Sequence, residues 1–360
     1  MAKQSLPRPS LEHLHRLTDD TGLFQHAKFT IPLRSEGYTA DDNARALIVA
    51  NKYYALNRDA ESLGLLDRYL AFVLHSQNDD GMVRNFMNYD RTWQEAEPVH
   101  DALGRVIWAF GELLAKPPSK IYIPIVRERI DISAPLIEKQ YPRGLSYSIL
   151  GLAGYLKQFP DADDIRQYLR KAADKLVLQY EQNHQPGPPK GEVSPSAKPM
   201  ADWPWFEDIL TYDNAILPCA LFTAGMALNE SKYQNVSRET FHFLLANTFT
   251  NNHFSFVGCQ GWFPREGPKA QFDQQPIEAA STILMLKAAY KATKDKKYLA
   301  LQRKAFNWFL GANDLGVPLY DSKSKGCSDG LGAEGVNLNE GAESTLSFLL
   351  SRLLISENPQ

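Results

Sequence analysis

Apolar positions along the chain fall into two alternating kinds of segment. Six segments are apolar on nearly every side and rich in Ala, Gly and Ser. They open near Asp42 (DNARALIVA), Asp101 (DALGRVIWAF), Gly144 (GLSYSILGLA), Asp213 (DNAILPCALF), Ile277 (IEAASTILML) and Gly341 (GAESTLSFLL). A helix that is hydrophobic all round is a buried helix, and small residues let neighbouring backbones approach closely. A segment with a single apolar stripe precedes each of them. Leu63, Leu66, Tyr69, Leu70 and Val73 sit at i, i+3 and i+4 spacings with Asp67 and Arg68 opposite, and Ile165, Leu169, Ala172, Leu176 and Tyr180 repeat the pattern. The spacing predicts surface helices at about 10–26, 61–77, 122–140, 163–183, 232–249 and 296–313. Twelve helices in six hairpins, with an inner and an outer ring, make an all-α (α/α)6 toroid.

The connections sort by length. Turns from an inner helix to the next outer one are short: Leu56–Ala60, Pro117–Ile121, Phe159–Ala162, Asn229–Ser231 and Lys294–Asp295. Those from an outer helix to the following inner one are mostly long: Lys28–Asp41, Asn78–Pro98, His184–Thr211, Thr250–Pro276 and Asp314–Asn339, with Tyr141–Arg143 as the short exception. In an alternating up-down ring all the long loops share one rim, which also carries the N-termini of the inner helices. Loops beyond about 12–15 residues are usually functional or disordered, so their convergence predicts a cleft on that rim.

Bulk composition narrows the class. Hydrophobic residues at 44% and charged residues at 22% are ordinary for a soluble globular protein. Net charge is −3, from 39 basic and 42 acidic residues, without the basic excess of a nucleic-acid binder. The regular repeat favours one barrel over residues 1–360, since a closed ring needs every hairpin to bury its core. No apolar run is long enough for a membrane span or resembles a signal peptide, and three scattered cysteines, Cys219, Cys259 and Cys327, fit a reducing compartment. The expected location is the cytoplasm. The Pro-rich stretch 184–199 (HQPGPPKGEVSPSAKP) excludes regular structure and reads as a rim loop, either solvated or a lid.

Candidate chemistry concentrates where that loop ends. Residues 202–214 (DWPWFEDILTYDN) hold Trp203, Trp205, Glu207, Asp208, Tyr212 and Asp213 just before an inner helix. Aromatic faces stack on sugar rings, and glycosidic cleavage needs two carboxyl groups flanking the bond. Asp213 also fits a plain N-cap. Asp41, Asp42 and, one turn on, Arg45 open the first inner helix. Glu95, Glu97, His100 and Asp101, with Arg105 at i+4, open the second; Gln274, Gln275 and Glu278 the fifth; Asn339, Glu340 and Glu343 the sixth. Caps explain one carboxylate per helix. They do not explain Arg45 and Arg105 inside apolar helices, where a buried Arg requires a partner.

The motifs YTADDNARAL (Tyr38–Leu47), SQNDDGMVRNF (Ser76–Phe86), VHDALGRVIWAF (Val99–Phe110) and LNEGAESTLSF (Leu338–Phe348) resemble a bacterial family of six-hairpin glycosidase-like toroids, sometimes attached to glycosyltransferases. The resemblance spans essentially the whole chain. It implies the fold, a sugar-directed role, the helix-N-terminal rim as the site, and an association with glycosyltransferases.

Other chemistries compete. His253, Cys259 and Cys327 share the long-loop rim, but lack the tight spacing of a zinc site. The nucleophile elbow and the phosphate-binding loop motif are absent. A sugar 2-epimerase or isomerase needs a histidine pair, which is not evident beyond His100. A lyase reading would use Tyr212, Arg105 and Arg265. A non-catalytic glycan-binding toroid would keep the aromatic rim alone. The favoured expectation is a glycoside hydrolase on an oligosaccharide, requiring neither cofactor nor metal. Asp208 or Glu207 is expected as general acid, and Asp42, Asp101 or Asp213 as its partner. Trp93, Trp203, Trp205 and Trp262 are expected as sugar platforms. Tyr38, Asp41, Arg45, His100, Arg105, Tyr212, Arg265, Gln275, Glu278, Glu340 and Glu343 are expected to bind hydroxyls or hold carboxylates.

Overall fold

The structure, a computed structural model, describes residues 6–94, 100–184 and 203–358. Six helices form an inner ring: α2 (Ala40–Asn57), α4 (His100–Ala115), α6 (Pro142–Gln158), α8 (Ile216–Leu228), α10 (Pro276–Thr293) and α12 (Ala342–Ser356). Outside them lie α1 (Glu12–Arg16), α3 (Ala60–Ser76), α5 (Tyr122–Ser133), α7 (Asp163–His184), α9 (Ser231–Thr248) and α11 (Lys297–Phe309). Each inner helix packs on the next, and α12 returns to α2, so the ring closes. The result is the (α/α)6 toroid that the alternating apolar pattern predicts.

The starts and stops follow local chemistry. Thr39 caps α2 by accepting from the Asp42 amide, and Asp59 caps α3 by accepting from that of Ser62. Arg58, Asn229 and Lys294 take left-handed φ at the ends of α2, α8 and α10, which turns the chain within two or three residues. The first outer helix is much shorter than the expected 10–26. Asp19 Oδ1 accepts from the amides of Thr21 and Gly22, forming an Asx turn that ends the helical run. α5 ends at Ser133 and continues as a 3-10 turn over Ala134–Lys139, where Pro135 removes an amide donor.

The glycines of α4 and α6 have a specific purpose. A Cβ on Gly104 would strike the Gly144 carbonyl, and one on Gly111 the Gly151 carbonyl. The two backbones therefore touch directly along these glycines, a spacing no larger residue permits.

All the long connections lie at the N-terminal ends of the inner helices, and short strands stitch them together. Tyr38–Thr39 pairs with Phe86–Met87, and Ile209–Leu210 with Phe263–Pro264. A further bridge joins Gln274 to Leu331. These pairings tie neighbouring loops together at the barrel mouth. Among the described residues no helix is long and apolar enough to cross a membrane.

Candidate functional site

The rim holds a network of carboxylates and guanidinium groups built from the first turns of the inner helices. Arg45 Nη1 reaches Glu343 at 2.9 Å and Asp42 at 3.3 Å, while its Nη2 donates to Asp41 at 3.3 Å. Arg105 Nη1 donates to the same Asp41 oxygen at 3.0 Å. Asp41 thus bridges two cations from neighbouring helices. Burial would raise its pKa, but Arg45 and Arg105 outweigh burial and hold it below the usual carboxylate range. Its neighbour Asp42 moves the other way, pushed up by burial and by the Asp41 charge. Thr39 reinforces this geometry: its hydroxyl donates to Asp42 Oδ2 at 2.8 Å.

A second cluster joins α6, α8 and α10. Arg143 Nη1 binds both oxygens of Glu207, at 2.9 and 3.2 Å; its Nε donates to the Tyr212 carbonyl and its Nη2 to Thr211 Oγ1, both at 2.7 Å. The guanidinium also lies over the Tyr212 ring. Tyr212 points its hydroxyl at Asp101 Oδ2, 3.4 Å away, and its ring lies 6.5 Å from that of Trp262. Asn214 donates to Glu278 Oε2 at 3.1 Å while its oxygen accepts from the Thr211 amide. Glu278 is buried and pushed up to about 8, by desolvation first and the nearby Asp213 charge second.

Asp213 lies between the two clusters. It is 1% exposed and takes a left-handed φ of 52°, a strained choice for a non-glycine residue. The cap reading fails, because α8 begins three residues later, at Ile216, behind Ala215 with no side-chain cap. Its Oδ2 instead accepts from the Tyr147 hydroxyl, and among the described residues its Oδ1 has no hydrogen-bond partner. Burial raises its pKa to about 6, against the pull of the Arg105 and Arg45 charges. It lines a cavity of about 30 Å³ on the barrel axis, together with Arg45, Tyr147, Ser281 and Trp108. That is room for roughly one water molecule.

Several expected residues lie elsewhere. Trp203 and Trp205 are core aromatics, packed edge-on against Phe243, Phe263 and Phe206, and so provide no sugar platform. Trp93 wedges against Phe72 and His75 of the outer helix α3, under Arg84. Tyr38 is buried with its hydroxyl on Asp19 at 2.6 Å. Glu340 is held by Ser324 and His13, away from the Arg45 network. Arg265 donates to the Asn183 carbonyl and lies 3.6 Å from Asp208, whose side chain is 74% exposed. Asp208 faces solvent, and both oxygens of Glu207 are held by Arg143. Gln275 stands before α10, half-buried, with no cap bond. His253 goes to Asp314 at 2.8 Å, and among the described residues no three His, Cys, Asp or Glu side chains gather as a metal site. Glu95, Glu97, residues 185–202 and the side chain of His100 lie outside the described residues.

Asp41, Asp42, Arg45, Asp101, Arg105, Tyr212, Asp213, Trp262, Glu278 and Glu343 remain on the rim. Sequence reasoning missed Arg143, Tyr147 and Asn214. Arg143 carried the signal that exposed Arg45 and Arg105, a cation at the head of an apolar helix, but lay in what read as a short link.

No family model matches the chain, and no curated protein matches it. Among solved structures, a sugar epimerase from a ruminal bacterium shares 10% identity over 97% of this chain and 96% of that one, with a TM-score of 0.72. A GH76 alpha-mannanase of Bacteroides thetaiotaomicron shares 11% over 96% and 93%, with a TM-score of 0.66. An alpha-1,6-mannanase of Salegentibacter, inactivated by replacing two consecutive aspartates and bound to alpha-1,6-mannotriose, shares 12% over 96% of each chain, with a TM-score of 0.58. The fold is therefore that of the six-hairpin glycosidase-like toroids, one frame that carries both sugar epimerases and mannanases.

Proposed function

We propose that this protein is a glycoside hydrolase acting on an oligosaccharide bound at the N-terminal rim of the inner helices. Glycosidic cleavage needs one carboxyl group that holds a proton and one that stays ionised. Environments that drive neighbouring carboxyls apart in pKa mark acid and base roles. The observation that carries the reading is this divergence on one rim: Asp41 is held ionised by Arg45 and Arg105, while Asp42 and Asp213 are pushed up. We assign Asp213 as the proton donor, since it lines the axial cavity and one of its oxygens has no hydrogen-bond partner among the described residues. Asp41 is the ionised partner. Asp101, Tyr212 and Trp262 form the mouth, where the two rings stack on a sugar. Here, as in the inactivated mannanase, two consecutive aspartates occur, at Asp41 and Asp42.

The test is product analysis on gluco-, manno-, galacto- and rhamno-oligosaccharides, with wild type beside Asp41→Asn, Asp101→Asn and Asp213→Asn. Release of a shorter sugar, reduced by about a hundredfold or more in Asp213→Asn, fits the expected cost of losing an acid catalyst. Turnover unchanged in both Asp41→Asn and Asp213→Asn overturns the assignment. The epimerases on the same fold favour one second reading, a sugar 2-epimerase. It predicts isomerised product without cleavage. The rim chemistry supports it less, because the described side chains around Arg45 and Arg105 include no histidine. We place the enzyme in the cytoplasm, consistent with three free cysteines, and in association with a glycosyltransferase, as the sequence resemblance implies.

A further inference from the structure

The opposite mouth of the toroid holds a second, larger cavity. Its volume is about 440 Å³, and all six inner helices contribute to its wall near their C-terminal ends. Small-molecule sites typically enclose roughly 300–1,000 Å³. The inner wall is apolar, with Trp108, Leu150 and Leu284 among its residues. The outer wall is cationic: Lys52, Lys157, Arg166, Lys287 and Lys291 line it beside two carboxylates, Glu112 and Glu357, and Arg166 also lies 3.9 Å from Asp163 outside the lining.

Both carboxylates are already in use. Lys52 lies between Glu112 at 2.8 Å and Glu357 at 3.4 Å, and Lys287 binds Glu357 at 2.5 Å and the Leu354 carbonyl at 2.7 Å. Lys157 and Lys291 form no ion pair among the described residues. Helix C-termini attract cations through the macrodipole, which accounts for lysines in last turns. It does not account for Lys52 and Lys287, which lie further inside their helices, or for Lys287 being 5% exposed. Burial pushes Lys287 down to about 8, with Lys52 and Lys291 adding to the effect against Glu357. Lys291 is pushed down by burial and then by Lys157. These cations repel one another around an empty space that an anion would stabilise.

We propose that this lower cavity binds a small organic phosphate, with the phosphate among Lys157, Lys287 and Lys291 and an apolar or aromatic body against Trp108 and Leu284. Lysine is a common phosphate ligand, acting as a point charge. Trp108 also forms the floor of the axial cavity above, and its indole stacks on Tyr147, the partner of Asp213. An occupant of the lower cavity therefore touches the same side chain that supports the rim site. The proposal does not depend on which reaction that rim performs.

The test is calorimetric titration of the full chain at low salt with phenyl phosphate, inorganic phosphate and phenol. Phenyl phosphate is expected to bind saturably and more tightly than either fragment. Lys157→Ala and Lys291→Ala are each expected to weaken it about tenfold, or ~1.4 kcal/mol. Both lysines line the cavity mouth, and circular dichroism checks that the variants remain folded. Three results overturn the proposal: no saturable binding; affinity unchanged in the double variant, which places the ligand elsewhere; or inorganic phosphate binding as well as phenyl phosphate, which reduces the site to a diffuse cationic surface.

Discussion

Replacing Asp213 with Asn removes a proposed proton donor and stabilises the fold. The carboxyl is almost fully buried, with a pKa of about 6 against an ordinary 3.8. A carboxyl whose folded pKa is raised binds its proton more tightly in the native state. Stability is therefore lost as pH rises from the unfolded pKa through the folded one, between 3.8 and about 6. Above that window the ionised native carboxylate costs about 1.4 kcal/mol for each pH unit separating the two values, or ~3 kcal/mol. Asn is nearly the same shape and still accepts from the Tyr147 hydroxyl, so it escapes most of that cost. Urea denaturation of wild type and Asp213→Asn should show the variant ahead by ~3 kcal/mol at about pH 7.5, and by only ~1 kcal/mol at about pH 4.5. Catalytic turnover should fall about a hundredfold or more in the same variant. An advantage that is the same at both pH values refutes the electrostatic account of Asp213. So does a variant that loses stability selectively at the higher pH.

Gly111→Ala should lower stability by about 1–3 kcal/mol or more, because its methyl meets the Gly151 carbonyl; a thermal melt reads it directly. Trp262→Ala should raise KM without destabilising the fold, whereas Trp205→Ala should cost ~3–5 kcal/mol in denaturation, as removal of a core aromatic does. Arg143→Met should cost ~3–5 kcal/mol, since it leaves Glu207 and the Tyr212 carbonyl without their partner. Asp208→Asn should change kcat/KM by less than about twofold, as expected of a solvated surface carboxylate.

The periodicity of apolar residues determined the ring. Predicted helices at 61–77, 163–183 and 232–249 match Ala60–Ser76, Asp163–His184 and Ser231–Thr248. The alternation of long and short connections also placed the long loops on one rim, because helix direction in an up-down ring follows from chain order alone. Arg45 and Arg105 were legible for a thermodynamic reason: a cation inside an apolar helix demands a partner, and Asp41 supplies it to both. What stayed hidden was the direction of side chains in irregular segments, where no period relates one residue to the next. The stretch 203–214 read as one cluster of aromatics and carboxylates. Folding sends Trp203 and Trp205 into the core, Glu207 to Arg143, Asp208 to solvent and Asp213 to the axis. Only tertiary packing decides which of those carboxyls loses water and which gains a guanidinium. The upward shift of Asp213, on which the proposed proton donor rests, therefore belongs to the three-dimensional structure and not to the sequence pattern.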